Sequence, residues 1–144
     1  MKIELQINEQ LEVPTIIIQA PSLSEEIQQL LQLLKQKELN LVVYDQEKIV
    51  IVPIEEIYLI RTEDKLVTLY TATKHYTTNK RLYELETILG SAFMRISKTC
   101  IINLKQINYV EPSFSGSMLL VMKNGCKDYI SRSYLAKFKT YLGI

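Results

Sequence analysis

The sequence is poor in the residues that build metal and thiol sites. Its 144 residues include one histidine, His75, two cysteines, Cys100 and Cys126, and no tryptophan. A structural zinc site needs about four Cys or His ligands, and a disulfide framework needs several cysteine pairs. These counts exclude both, together with most thiol–imidazole catalysis. We therefore expect no metal and no cofactor.

Glycine, proline and long apolar runs are also scarce. Four glycines and four prolines argue against a long linker, and no apolar run approaches the ~20 residues of a membrane span. The N-terminal MKIELQINEQ carries acids and lacks the apolar block of a signal peptide. With 47% hydrophobic and 23% charged residues, the composition is typical of a globular protein. We expect a cytoplasmic protein of one domain, or of one small domain with an appendage.

Motifs of catalysis are absent as well. The sequence contains no G-x-S-x-G elbow, Walker loop, dinucleotide fingerprint or H-E-x-x-H motif. Glu55-Glu56 and Glu63-Asp64 are adjacent carboxylates, but neighbours on a strand point to opposite faces and cannot act as a pair. We predict that the protein is not an enzyme and has no small-molecule substrate; a small β enzyme is the least favoured hypothesis.

The net charge of +1 conceals a strong asymmetry along the chain. Residues 1–64 carry a formal charge of −7, residues 65–89 carry +2, and residues 90–144 carry +6. An acidic front piece followed by a basic half is typical of a polyanion-binding domain with a separate N-terminal module. Charge blocks of this size also arise by chance on solvated faces, so charge alone leaves both interpretations open.

Apolar periodicity predicts a small module in residues 1–45. Alternating or β-branched apolar residues predict strands over 3–7 and 15–18. Apolar residues then recur at the i, i+3, i+4, i+7 spacing, which predicts a helix over 24–37. A further strand is expected over 39–44. The N-terminal module is therefore predicted to be an acidic β-β-α-β unit.

From residue 46 onward the pattern changes to many short β runs with polar breaks. Asn124-Gly125 lies between two such runs and predicts a hairpin, because both residues tolerate the positive φ of a type I′ turn. Short helices are expected over 82–89, ending at Gly90, and from about Ser131 to Gly143. The sequence thus predicts a mainly β domain over 46–144, in a chain that is α+β overall.

Three breaks between the predicted strands carry cations beside hydroxyl or carboxylate residues. They are Glu63-Asp64-Lys65, Ser97-Lys98-Thr99 and Ser131-Arg132-Ser133. Loops of this kind can reach phosphate oxygens and base edges, whereas side chains inside a strand are committed to the faces of the sheet.

Each of these residues also has an interpretation without function. Lys98 on a tight turn can be a solvated loop residue, and Ser131 is most simply a helix N-cap. Arg132 is badly placed for the helix dipole, which favours acids at a helix start, so this cation points to selection for something other than helix stability. Asn103 fits a turn-forming hydrogen-bond partner better than a base-reading residue.

Taken together, these segments resemble the LytTR family of bacterial DNA-binding domains. The resemblance is carried by FMRISKTCIINLKQI at 93–107, by the Asn-Gly hairpin and by YISRSYLAKFKTYLG at 129–143. Upstream, EEIYLIRTEDKLVTLYT at 55–71 looks like the first strand and loop of the family, and the 82–89 helix falls where a short helix is expected.

The resemblance implies an elongated, mostly β domain that inserts loops, rather than a recognition helix, into successive major grooves. Ser97-Lys98 stands where His-Arg is common, so a bidentate guanidinium contact becomes a single-point ammonium contact. Ser133 replaces a common arginine and Arg61 replaces a common acid, so specificity should differ from that of typical members. Adding two nearby lysines gives the candidate DNA-binding residues Lys65, Ser97, Lys98, Lys123, Lys127, Arg132 and Ser133.

The favoured hypothesis is a stand-alone transcriptional regulator whose residues 46–144 bind double-stranded promoter DNA. Residues 1–45 lack the acids of a phosphoacceptor receiver, and we expect them to provide dimerisation, giving a homodimer, or a partner surface. By analogy with some stand-alone members, a small membrane-bound antagonist protein is an implied partner. The alternative is a protein-interaction module of the same fold that binds no DNA and makes its contact through residues 16–34.

Overall fold

The computed structural model describes residues 1–35 and 40–144 and separates the chain into two units, Met1–Lys37 and Glu38–Ile144. Among the described residues of the first unit, the single regular element is helix α1, Glu25–Lys35. Ser24 caps it, since its Oγ accepts the Ile27 N–H at 3.3 Å, and Glu25 and Glu26 lie where the helix dipole favours acids. The helix begins as predicted; its predicted end, at 37, and the start of the next strand, at 39, lie outside the described residues.

The two strands predicted over 3–7 and 15–18 are wrong, because neither segment forms a strand in the structure. Alternation of apolar and polar residues indicates that a segment could form a half-buried strand. A strand forms only when its backbone N–H and C=O groups pair with those of another strand. Neither segment has such a partner, and their large apolar side chains remain in solvent, with Ile3 88% and Ile17 79% exposed.

The described part of the second unit is mostly antiparallel β, which confirms the predicted fold class. A larger sheet has the strand order β2-β1-β5-β4-β3-β7-β6, and a smaller one has the order β10-β9-β8. The strands are β1 Asn40–Asp45, β2 Lys48–Pro53, β3 Leu59–Glu63, β4 Leu66–Tyr70, β5 His75–Thr78, β6 Phe93–Ser97, β7 Cys100–Asn103, β8 Ile107–Pro112, β9 Met118–Met122 and β10 Lys127–Ile130. The helices are α2 Leu82–Leu89 and α3 Arg132–Leu142, close to their predicted positions.

Strand β1 corrects the predicted domain boundary at 45/46. It pairs along its length with β2, where Val42 lies opposite Ile51, and it also pairs with β5 at Tyr44 and Thr77. The strand assigned to the N-terminal module is therefore an inner strand of the larger sheet. Apolar periodicity identifies a strand but carries no information on which strands it will pair with.

Strands β3 and β7 connect two hydrophobic cores. Ile60 and Ile101 pack in one core with α2, and Leu59 and Ile102 pack in the other with the smaller sheet and Phe138 of α3. Successive residues of a strand face opposite sides, so each strand contributes to both cores at once. This fixes the smaller sheet and α3 relative to the loops at the ends of β3 and β7.

The predicted hairpin between β9 and β10 is present, but its turn is not type I′. The Met122 N–H bonds to Cys126 O and closes a loop of three residues, 123–125, in which the Gly125 N–H bonds to Met122 O. Gly125 alone of the three has positive φ, at 91°. Three-residue hairpin loops typically place glycine at this left-handed position.

Candidate nucleic-acid interface

The first cationic loop is the turn between β3 and β4. Its two central residues, Asp64 and Lys65, have φ of 48° and 68°, the positive values that a type I′ turn requires, and both are exposed. Left-handed backbone costs a non-glycine residue roughly 1–2 kcal/mol. Stability alone would favour Asn-Gly here. A lysine at this tip therefore costs folding free energy and projects a cation into solvent.

Arg95 fixes the backbone of the second loop, which lies between β6 and β7. The Arg95 guanidinium donates from Nε to Ser97 O at 3.1 Å and from Nη2 to Lys98 O at 2.6 Å, and its Nη1 pairs with Glu86 at 2.9 Å. Ser97 Oγ also accepts the Thr99 N–H at 3.2 Å. The backbone of the loop is thus fixed while the Lys98 side chain is exposed.

The third loop leads into α3. Ser131 occupies the N-cap position, as predicted, but its side chain caps no backbone N–H; its Oγ lies 3.4 Å from Ser133 Oγ instead. The positive end of the α3 helix dipole therefore has no side-chain cap, and this favours the binding of a phosphate there. Arg132, the first residue of α3, is exposed and donates from Nε to the backbone carbonyl of Ser115.

These loops lie at one end of the larger sheet. Three hydrogen bonds tie them to neighbouring strands: Thr62 N–H to Thr99 O at 2.9 Å, Ser131 N–H to Ile96 O at 3.0 Å, and Arg61 Nη2 to Lys127 O at 3.2 Å. The structure therefore places the loops that carry Lys65, Lys98 and Arg132, with Ser97 and Ser133, at this end, and Lys127 is linked to them by its backbone carbonyl.

Lys123 does not belong to this group. Its N–H bonds to Gln106 O at 2.9 Å, and the neighbouring Asn124 donates to Thr71 O at 2.9 Å. Thr71 follows the C-terminal end of β4, whereas Lys65 precedes its N-terminal end. Five strand residues span roughly 13 Å at ~3.3 Å per residue. Proximity in sequence to Lys127 suggested a shared site, but the hairpin carries Lys123 to the other end of the sheet.

Arg61 links the larger sheet to the smaller sheet, near the cationic loops. Its guanidinium lies 3.8 Å from Asp128 on β10 and 5.3 Å from the centre of the Tyr70 ring, a cation–π distance. Its Nε lies 3.4 Å from a Glu63 oxygen without hydrogen-bond geometry. Tyr70 donates to the same carboxylate at 2.6 Å. Burial, together with this hydrogen bond and the charge of Glu63, raises the pKa of Tyr70 to about 12.

Arg61 and Arg95 are thus positioning residues that sequence reasoning missed. The family resemblance marks Arg61 only as a departure from the pattern and includes Arg95 within the segment 93–107, and it assigns a role to neither. A half-buried arginine inside a strand, two or three residues before a cationic turn, was the available signal.

Three other polar residues are structural. Asn103 is buried, donates to Ile57 O at 2.9 Å and accepts the Lys105 N–H at 3.0 Å, so it is the turn-forming partner that we expected. Burial raises the pKa of the Cys100 thiol and that of Cys126. Both thiols are therefore largely protonated and unreactive at neutral pH.

Two other kinds of feature are absent from residues 1–35 and 40–144. No three His, Cys, Asp or Glu side chains in these ranges converge in a way that could hold a metal ion. No helix there has the length and apolar character to cross a membrane.

Known proteins match this chain over different lengths. A family model described as the LytTr DNA-binding domain matches residues 47–143. The sensory transduction protein LytT of Bacillus anthracis is 37% identical over 100 residues, which are 69% of this chain but 41% of that protein. The uncharacterized HTH-type transcriptional regulator SAS2254 of Staphylococcus aureus is 31% identical over 146 residues, covering 100% of this chain and 99% of its own length.

A solved structure supports the same fold. The LytTr DNA-binding domain of a Bacillus cereus response regulator superposes with a TM-score of 0.69 at 24% identity, over 73% of this chain and 97% of that one. At this identity the match is evidence for the fold alone.

Proposed function

The chain belongs to the LytTR family of DNA-binding domains, and from this premise we propose that it is a transcriptional regulator that reads promoter DNA through loops. The observation that carries the proposal is the set of hydrogen bonds that gathers three cationic loops at one end of the larger sheet. A double helix presents phosphates along one face, so cations must share a face to contact it together.

Within this group the residues would take different roles. Lys98 would approach a base edge or a phosphate as a single-point donor in the major groove, beside Ser97. Arg132 and the uncapped start of α3, including Ser133, would bind phosphate. Lys65 and Lys127 would add charge. Because Arg95 already holds the second loop, less conformational entropy would be lost on binding.

We further propose that the protein is a homodimer and that the first unit provides the contact. The support is the amount of apolar surface that this unit leaves in solvent, including Ile16 at 71% and Leu33 at 64% exposure. Exposed apolar patches rimmed by polar residues mark interaction sites. Light scattering should then give twice the 16.7 kDa chain mass; a monomer at micromolar concentration would contradict this. The membrane-bound antagonist stays a prediction from the family resemblance.

The test of DNA binding is affinity measured against salt. DNA from upstream of the protein's own gene should bind with log K falling by several units per log unit of salt, since each neutralised phosphate adds about 0.9 to the slope. Lys98→Glu should weaken binding by roughly 1–3 kcal/mol and leave the fold intact.

Lys74→Glu is the matched control. It makes the same charge change at an exposed residue, but in the turn after β4, where Lys74 O accepts the Thr71 N–H, at the opposite end of that strand from Lys65. Equal losses in the two variants would refute the proposed interface. Failure of the wild type to bind any DNA with a salt-dependent affinity would favour the protein-interaction module instead.

A further inference from the structure

One aromatic side chain on the described surface has no role in the fold. The chain has three phenylalanines, and two of them, Phe93 and Phe138, are buried core residues. Phe114 is 89% exposed, at the tip of the loop between β8 and β9. A ring left in water contributes nothing to folding through burial, so the Phe114 ring is available for a contact outside the fold.

The backbone that carries Phe114 is fixed. Phe114 O accepts two hydrogen bonds from Ser117, one from the N–H at 3.2 Å and one from Oγ at 2.8 Å, and the Ser113 N–H bonds to Ser117 O at 3.0 Å. Ser115 and Gly116 have φ of 58° and 76°. Ser115 therefore holds a left-handed conformation that is costly for a residue other than glycine. The loop presents the ring on a preformed turn.

The same turn is joined to the third cationic loop. Arg132 Nε donates to Ser115 O, so the residue next to Phe114 is bonded to a guanidinium of the proposed interface. Residues 113–117, Ser-Phe-Ser-Gly-Ser, contain no acid that would repel a phosphate, and three of them carry hydroxyl groups. Nothing in the chemistry of this loop opposes a nearby polyanion.

We propose that Phe114 is an apolar DNA contact. When the start of α3 and Arg132 engage a phosphate, the ring packs against the adjoining deoxyribose and base edge. Apolar and aromatic side chains make such contacts with sugars, thymine methyl groups and exposed base faces. This inference rests on the proposed function, and it adds a contact that involves no charge.

The absence of charge makes the contact separable from the cations. In fluorescence anisotropy titrations of the full chain at several salt concentrations, Phe114→Ala should lower the affinity by roughly 5- to 50-fold at every salt concentration. The slope of log K against log salt should not change. Lys98→Ala should lower the affinity and also reduce the slope by about 0.9, because it removes a cation that neutralises a DNA phosphate.

Tyr83→Ala is the control for loss of an exposed aromatic ring. Tyr83 is 63% exposed on α2, and its removal should change neither affinity nor slope. Wild-type binding with a normal salt slope, combined with unchanged affinity in Phe114→Ala, would overturn this inference and leave the proposed function standing. A reduced slope in Phe114→Ala would overturn it too, because it would show that the ring positions Arg132 instead of touching DNA. Loss of all binding by the wild type would be a failure of the proposed function.

Discussion

Replacing Arg95 by methionine should weaken both the fold and DNA binding, because Arg95 holds the backbone of the second cationic loop. Methionine keeps most of the aliphatic stem and removes the guanidinium. That group donates to two backbone carbonyls of the second loop, Ser97 O at 3.1 Å and Lys98 O at 2.6 Å, and pairs with Glu86 at 2.9 Å. Without it, both carbonyls lose a charged donor and the loop loses its anchor.

The cost can be worked out from these contacts. Hydrogen bonds to charged groups contribute about 1.5–3 kcal/mol each. The Arg95 side chain is 21% exposed, so water replaces part of each lost bond. The Glu86 carboxylate is 42% exposed, and exposed ion pairs contribute at most about 1 kcal/mol. We expect Arg95→Met to lower the free energy of unfolding by about 2–4 kcal/mol, and Glu86→Gln to lower it by about 1 kcal/mol or less.

Urea unfolding measures these changes in the free energy of unfolding. A double-mutant cycle on DNA affinity measures the coupling between Arg95 and Lys98. If Arg95 positions Lys98, then Lys98→Ala should cost less in the Arg95→Met background than in the wild type, by about 0.5 kcal/mol or more. Glu86→Gln should leave the effect of Lys98→Ala unchanged. An Arg95→Met protein that unfolds at the wild-type urea concentration, or strictly additive effects on DNA affinity, would refute the reasoning.

Two further predictions concern the first loop and the network behind it. Lys65→Gly should raise the free energy of unfolding by up to about 1 kcal/mol, because glycine adopts φ of 68° without strain, and should lower the salt slope of DNA binding by about 0.9; a destabilised variant, or an unchanged slope, would contradict this. The folded-state pKa of Tyr70 is raised to about 12 from 10.0, so its contribution to stability is present below pH 10 and lost as the pH rises toward 12. Tyr70→Phe should therefore lose less stability than the wild type between pH 10 and 12 in thermal unfolding, and parallel curves would show that Tyr70 titrates normally.

Local sequence patterns were sufficient to predict the helices and strands whose signal lies within a few neighbouring residues. Helix α2 follows from leucines on one face and ends at Gly90, and the α3 prediction needed the same kind of spacing and Gly143. Most strands of the sheets were identified from short β runs between polar breaks. The family resemblance, carried by residues 55–143, predicted the fold that the structural match supports. The DNA-contacting roles of individual residues stay predictions.

The sequence by itself determined the mainly β class, the family and the cationic loops, because periodicity, turn residues and motifs are written in adjacent positions. Tertiary structure alone decided that β1 joins the larger sheet, that segments 3–7 and 15–18 form no strands, and that Lys123 lies away from Lys65. It also decided that Arg61 reaches Lys127, 66 residues further along the chain. Such pairings depend on which backbone groups and cores meet in space, and a local pattern of side chains does not encode that choice.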